Sequence, residues 1–110
     1  LNDIGRAIQK YAEGAGYGVV RDLVGHGIGY FAHEEPNVFN YSIGNRSREN
    51  LVLEPGMVIC IEPMINEGDW EVKVADNGYT ILTADGSLSA HFEHSVAITD
   101  NGPEILSKLN

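Results

Sequence analysis

The chain has 110 residues, 43% of them apolar and 21% charged, with a net charge of −9. That length fits one domain at most, since domains commonly run about 100–200 residues. The acidic balance argues against a nucleic-acid groove or an anionic membrane surface, both of which want clustered Lys and Arg. Cys60 is the one cysteine, so no internal disulfide forms and a reducing, cytoplasmic setting is expected. The longest fully apolar run, 57–61, falls far short of the roughly 20 residues that span a bilayer. The chain opens at Leu1 and runs directly into a helical pattern, which reads as a fragment of something longer.

Residues 1–15 are expected to form a helix. Ile4, Ala7, Ile8, Tyr11, Ala12 and Ala15 recur at three and four residue spacing, and Asn2 and Asp3 are good capping residues. Gly14, Gly16 and Gly18 close it. Their spacing is wrong for a phosphate loop, and they follow a helix where such a loop follows a strand. A short strand is expected over 19–24, irregular glycine-punctuated backbone over 25–36, and a polar loop over 37–50. Glu54-Pro55-Gly56 then turns the chain into a hydrophobic strand over 57–64. Further strands are expected over 72–74, 79–83 and 88–99, with turns at 67–69, 76–78, 85–86 and 100–102. One helix followed by a mostly antiparallel sheet makes an α+β fold.

Glu62 stands at the end of Met57-Val58-Ile59-Cys60-Ile61, a run that belongs in a sheet interior. An unpaired carboxylate there would cost several kcal/mol or lose its charge. Pro63 denies the strand its next ladder donor, so a regular central strand ends here. With seven basic residues in the whole chain, an Arg partner, a backbone cap and a metal ion all remain open as the compensation.

Alternation over 89–98 puts Ser89, His91, Glu93 and Ser95 on one face and Phe92, His94, Val96 and Ile98 on the other. His91 and Glu93 can therefore share a site. His91 and His94 cannot chelate one ion, and His94 reads as a hydrogen-bonded structural histidine. His26 lies in Gly25-His26-Gly27-Ile28-Gly29, where small neighbours let a ligand approach. His33-Glu34-Glu35-Pro36 follows. Neither H-E-x-x-H, Cys-x-x-Cys nor G-x-S-x-G occurs, which disfavours a helical zinc protease and a serine or cysteine hydrolase. One His and two Glu from separate segments suit Mn, Fe(II) or Co better than a closed zinc site.

Gly25-His26-Gly27-Ile28-Gly29, His33-Glu34-Glu35-Pro36, Pro55-Gly56-Met57, Ile61-Glu62-Pro63-Met64, Ser87-Leu88-Ser89-Ala90 and Phe92-Glu93-His94 occur in this order. Together they resemble the type I methionine aminopeptidases of the pita-bread metallopeptidases. Pro63-Met64 and Phe92-Glu93-His94 separate this pattern from prolidase-like relatives, which typically carry E-P-G. The resemblance spans essentially the whole chain and implies that residues 1–110 are the C-terminal part of one pita-bread catalytic domain. It implies two divalent ions (Co, Mn, Fe or Zn) held by two Asp of an absent N-terminal half together with His26, Glu62 and Glu93. A water activated between the ions then attacks the scissile carbonyl, with Glu62 also shuttling the proton and Glu93 bridging.

The same resemblance places His33 at the substrate carbonyl as a catalytic and substrate-binding residue. Tyr79 corresponds to an often-Trp position beside the specificity pocket, and Phe31 stands in for the usual Phe or Met at Ala32. His91 replaces a glutamine and Ser95 a threonine, and His91 is a candidate to hydrogen-bond a ligand carboxylate. The implied substrate is the N-terminus of a nascent polypeptide, near the ribosome, with release of methionine. An Xaa-Pro aminopeptidase or dipeptidase of the same fold, and a non-catalytic binding module, are the competing functions. Without the two Asp, the isolated fragment is expected to be inactive and to expose apolar surface.

Overall fold

The computed structural model describes residues 1–109. The first element is α1, Asn2–Gly14, close to the expected span. Its start differs from the expectation. No side chain caps the helix, because Asn2 is buried and spends its amide elsewhere. Asn2 Oδ1 accepts from the backbone N–H of Ile43 at 2.9 Å and of Gly44 at 3.2 Å, and Asn2 Nδ2 donates to Asn45 Oδ1 at 2.7 Å. Asn2 thus pins the 42–45 segment onto the helix, while Asp3 stays outside in an exposed pair with Arg6.

Four strands already in place from the hydrophobic pattern are shorter than expected. β1 is only Gly18–Val19, since the chain turns away at Arg21, whose guanidinium lies 4.8 Å from the Trp70 ring centre. The region expected to be irregular is instead ordered sheet: β2 is Gly25–Ile28 and β3 is Glu34–Val38, which also takes the start of the expected polar loop. The glycines explain the difference. A Cβ on Gly25 would strike the carbonyl oxygen of Cys60, and one on Gly27 that of Glu35. They are strand glycines whose missing side chains admit neighbouring backbones.

The hydrophobic run 57–64 divides at Glu62-Pro63 into β4, Val58–Ile61, and β5, Met64–Asn66. A hairpin of β6, Val72–Val74, and β7, Ile81–Thr83, follows. The expected strand 88–99 likewise divides, into β8, Ser89–His91, and β9, His94–Thr99, before the terminal β10, Gly102–Ile105. The order β10-β9-β4-β2-β3 makes a five-stranded antiparallel sheet, and β1-β5-β8 a three-stranded one. Among the described residues no helix is long and apolar enough to cross a membrane.

One face of the larger sheet is the core. Val38, Ile59 and Val96 pack with Leu1, and Ile4, Leu53, Ile61 and Ile98 lean against them. An apolar groove of about 330 Å³ stays open on this face between Ile4, Leu53, Ile61, Ile98 and Pro103. Alternation along β4 then sends Cys60 and Glu62 to the opposite face.

Candidate metal centre

The two interruptions define the site. Ile61 pairs with His94 and Met64 with His91, so in continuous register Glu62 falls opposite Glu93 and Pro63 opposite Phe92. Pro63 has no N–H to give, but its carbonyl accepts from Phe92 N at 3.4 Å, which keeps the two chains together as they pass from one sheet to the other. Like charges directly opposite are destabilising. A sheet that places two carboxylates there has to neutralise them.

Two histidines close on the same carboxylate. His26 Nε2 lies 3.1 Å from Glu62 Oε1, with both side chains largely buried at 14% and 13% exposure. His91 Nε2 lies 3.2 Å from Glu62 Oε2. On its other side His26 Nδ1–H donates to the Gly27 carbonyl oxygen at 3.0 Å. A carbonyl can only accept, so that bond fixes a proton on Nδ1. Nε2 is then left either with a second proton toward Glu62 or with a lone pair aimed at the carboxylate. The second case needs a cation between the two atoms, and a ring N–H donated to backbone is the usual support of a metal-ligating histidine.

Donor atoms of His26, Cys60 and Glu93 lie within 4.8 Å of one another, as do those of Glu62, His91 and Glu93. Glu93 belongs to both groups. The expected residues His26, Glu62 and Glu93 are therefore brought together from within β2, from just after β4 and from just before β9, and their mixed nitrogen and oxygen donors suit a divalent ion of intermediate hardness. His33 joins them: its ring centre is 4.2 Å from that of His26, and its own edge faces solvent. Phe31 and Tyr79 are not drawn in. Their side chains are 73% and 86% exposed, Phe31 before β3 and Tyr79 in the β6–β7 turn.

Cys60 was not singled out as a site residue by its sequence. The signal was present, because two residues before Glu62 on one strand means the same face. In the ladder it lies between His26 on β2 and Ser95 on β9. Burial first, and then the facing Glu93 carboxylate, push its thiol above the usual range. His94 turns toward the far end of the chain, where Nδ1 meets Ser107 Oγ at 2.9 Å.

Residues 1–100 match the profile of metallopeptidase family M24. The chain belongs to that family. Over 109 residues it is 53% identical to a methionine aminopeptidase of Clostridium perfringens, covering 99% of this chain and 43% of that protein. It is 52% identical over 108 residues to a methionine aminopeptidase of Escherichia coli strain K12, covering 97% of this chain and 39% of the relative. The crystal structure of methionine aminopeptidase from Thermotoga maritima superposes with a TM-score of 0.90 at 47% identity, over 98% of this chain and 42% of that one. The α+β pita-bread architecture expected from the motifs is the fold these structures share. The chain spans about two fifths of the length of these relatives.

Proposed function

We propose that this chain forms the part of a metal-dependent aminopeptidase that supplies His26, Glu62 and Glu93 to two divalent ions, and that the enzyme removes N-terminal methionine from nascent polypeptides in the cytoplasm, near the ribosome. The observation that carries this reading is the placement of Glu62 opposite Glu93 with His26 Nε2 at 3.1 Å from Glu62 Oε1. The relatives named methionine aminopeptidase supply the substrate. Residues 1–110 correspond in this reading to the C-terminal part of the catalytic domain, and two further Asp ligands come from the rest of it. That remainder also covers the apolar groove beside Ile61 and Ile98.

Bound divalent ions (Co, Mn, Fe or Zn) would supply Lewis acidity at the scissile carbonyl and lower the pKa of an attacking water. The remaining work falls to side chains. His26 is held in one tautomer by Gly27, so its Nε2 is oriented before any ligand arrives. Glu93, shared by both donor groups, would be the carboxylate held in common by the ions. Glu62, contacted by His26 and His91, would carry a proton from the attacking water toward the leaving amine, as a positioned carboxylate can. His33, resting on the His26 ring with an exposed edge, donates to the substrate carbonyl. Tyr79 and Phe31 are the residues this reading assigns to the methionine side chain.

The test is release of the first residue from a Met-Gly peptide and from a Gly-Pro peptide, with Mn(II) and separately Co(II), using a polypeptide that includes the Asp ligands. Metal-dependent cleavage of the methionine substrate, abolished by Glu62→Ala, is expected. Preference for the proline peptide would move the chain to the Xaa-Pro peptidases, and silence on both would leave a binding module.

A further inference from the structure

The face that carries Glu62 also carries a buried thiol that the proposed mechanism does not use. Cys60 is 2% exposed and sits in a cross-strand row with His26 and Ser95. Directly paired residues on neighbouring strands point to the same face, so the sulfur and the His26 ring rise from the sheet together. Ser95 Oγ lies 3.6 Å from Cys60 Sγ. Ile59, one residue earlier, is in the core on the other face.

We propose that Cys60 gives this centre a sulfur donor, so that His26, Cys60 and Glu93 together take a thiophilic divalent ion such as Zn(II). The three donor atoms already lie within 4.8 Å of one another. Bonds of about 2.0–2.3 Å to one tetrahedral ion place its donors roughly 3.3–3.8 Å apart, so closing the set takes movements of about 1 Å. Thiolate is the softest donor available, and it favours zinc over manganese, which prefers oxygen. This inference rests on the reading that His26 and Glu93 hold an ion.

The chemistry balances with one proton. A thiol binds a metal ion as its thiolate. Forming the sulfur–metal bond releases that proton to solvent. Glu93 is common to the sulfur-containing group and to the Glu62–His91 group, so a sulfur-bound Zn(II) draws on the same carboxylate as Mn(II), and the two ions compete.

Cobalt(II) titration of the purified protein tests this, because cobalt reports its ligands by absorption. A sulfur-to-cobalt charge-transfer band in the near ultraviolet is expected, and Cys60→Ser should remove it while the visible d–d bands persist. In a chelator competition, Cys60→Ser should weaken Zn(II) binding about tenfold or more and change Mn(II) binding by less than about twofold. Visible cobalt bands without the near-ultraviolet band would overturn the sulfur donor and leave the His26–Glu93 reading standing. No cobalt bound at all would overturn both. Should Cys60→Ser fail to fold by circular dichroism, the unsubstituted protein decides alone: Zn(II) should shield Cys60 from alkylation, and alkylation at an unchanged rate counts against the proposal.

Discussion

His91 Nε2–H donates to Glu62 Oε2 at 3.2 Å, joining β8 to the residue that ends β4 across the break in both strands. With His26 Nε2 beside the other oxygen, the Glu62 side chain is contacted from both sides. Removing one such support loosens a ligand by about 10–100-fold in metal affinity. His91→Ala is expected to weaken Mn(II) binding within that range, whereas His91→Gln, which keeps a donor, should recover most of it. Calorimetric titration of both variants measures the difference, and equal affinities would remove His91 from the site.

The opposition of Glu62 and Glu93 makes a second expectation. Two carboxylates in register repel one another, and a cation that binds only the folded chain stabilises it by RT ln(1 + [L]/Kd), about 2.7 kcal/mol at a hundredfold excess over Kd. Thermal denaturation of the metal-free protein should shift upward on adding Mn(II). Glu62→Gln should leave the metal-free transition equal or higher and abolish the shift. A full shift retained in Glu62→Gln would exclude Glu62 as a ligand.

Gly25 and Gly27 test the sheet beneath the site. A methyl group at either position meets a backbone carbonyl, of Cys60 or of Glu35, and backbone cannot rotate aside as a side chain can. Gly25→Ala and Gly27→Ala should each destabilise by about 1–3 kcal/mol by urea denaturation, and metal binding should weaken with them because His26 lies between. Gly14→Ala, at a position with open space around the added methyl, serves as the control and should be near neutral or stabilising.

Asp85 gives the pH dependence. Its carboxylate accepts from Ser87 N at 2.9 Å and from Asp69 N at 2.9 Å, and the hydrogen bonds from Ser87, then from Asp69, lower its pKa from the usual 3.8 to about 2. A depressed carboxylate contributes stability that is present above the unfolded value and is lost as pH falls through the folded one. The tie between the 85–87 turn and the 67–69 turn should hold above pH 4 and loosen as pH falls toward 2. Carbon-detected titration of the Asp85 carboxyl should show this, and Asp85→Asn should remove the transition; a midpoint near 3.8 would disprove the bonded geometry.

The sequence alone determined the helix, most of the strands, the turns and the stranded carboxylate of Glu62. These follow from local rules: apolar residues at helical spacing, Asn-Gly and Asp-Gly at hairpin ends, and a carboxylate stranded after five apolar residues. It also located the break at Pro63, since a missing N–H is a property of the residue itself. What it did not determine was decided by pairing between distant segments. Residues 25–36 looked irregular because glycine weakens a strand in isolation, and only the carbonyls of Cys60 and Glu35 against them make those glycines sheet positions. Asn2 looked like a cap until the 42–45 segment took its amide.

Continuous alternation over 88–99 was likewise cut by a partner, when Phe92-Glu93 met the break at Glu62-Pro63 and the two chains crossed together from one sheet to another. Register is a property of two strands, so the opposition of Glu62 to Glu93, and the row of His26, Cys60 and Ser95 beside them, existed only once β2, β4 and β9 had come together.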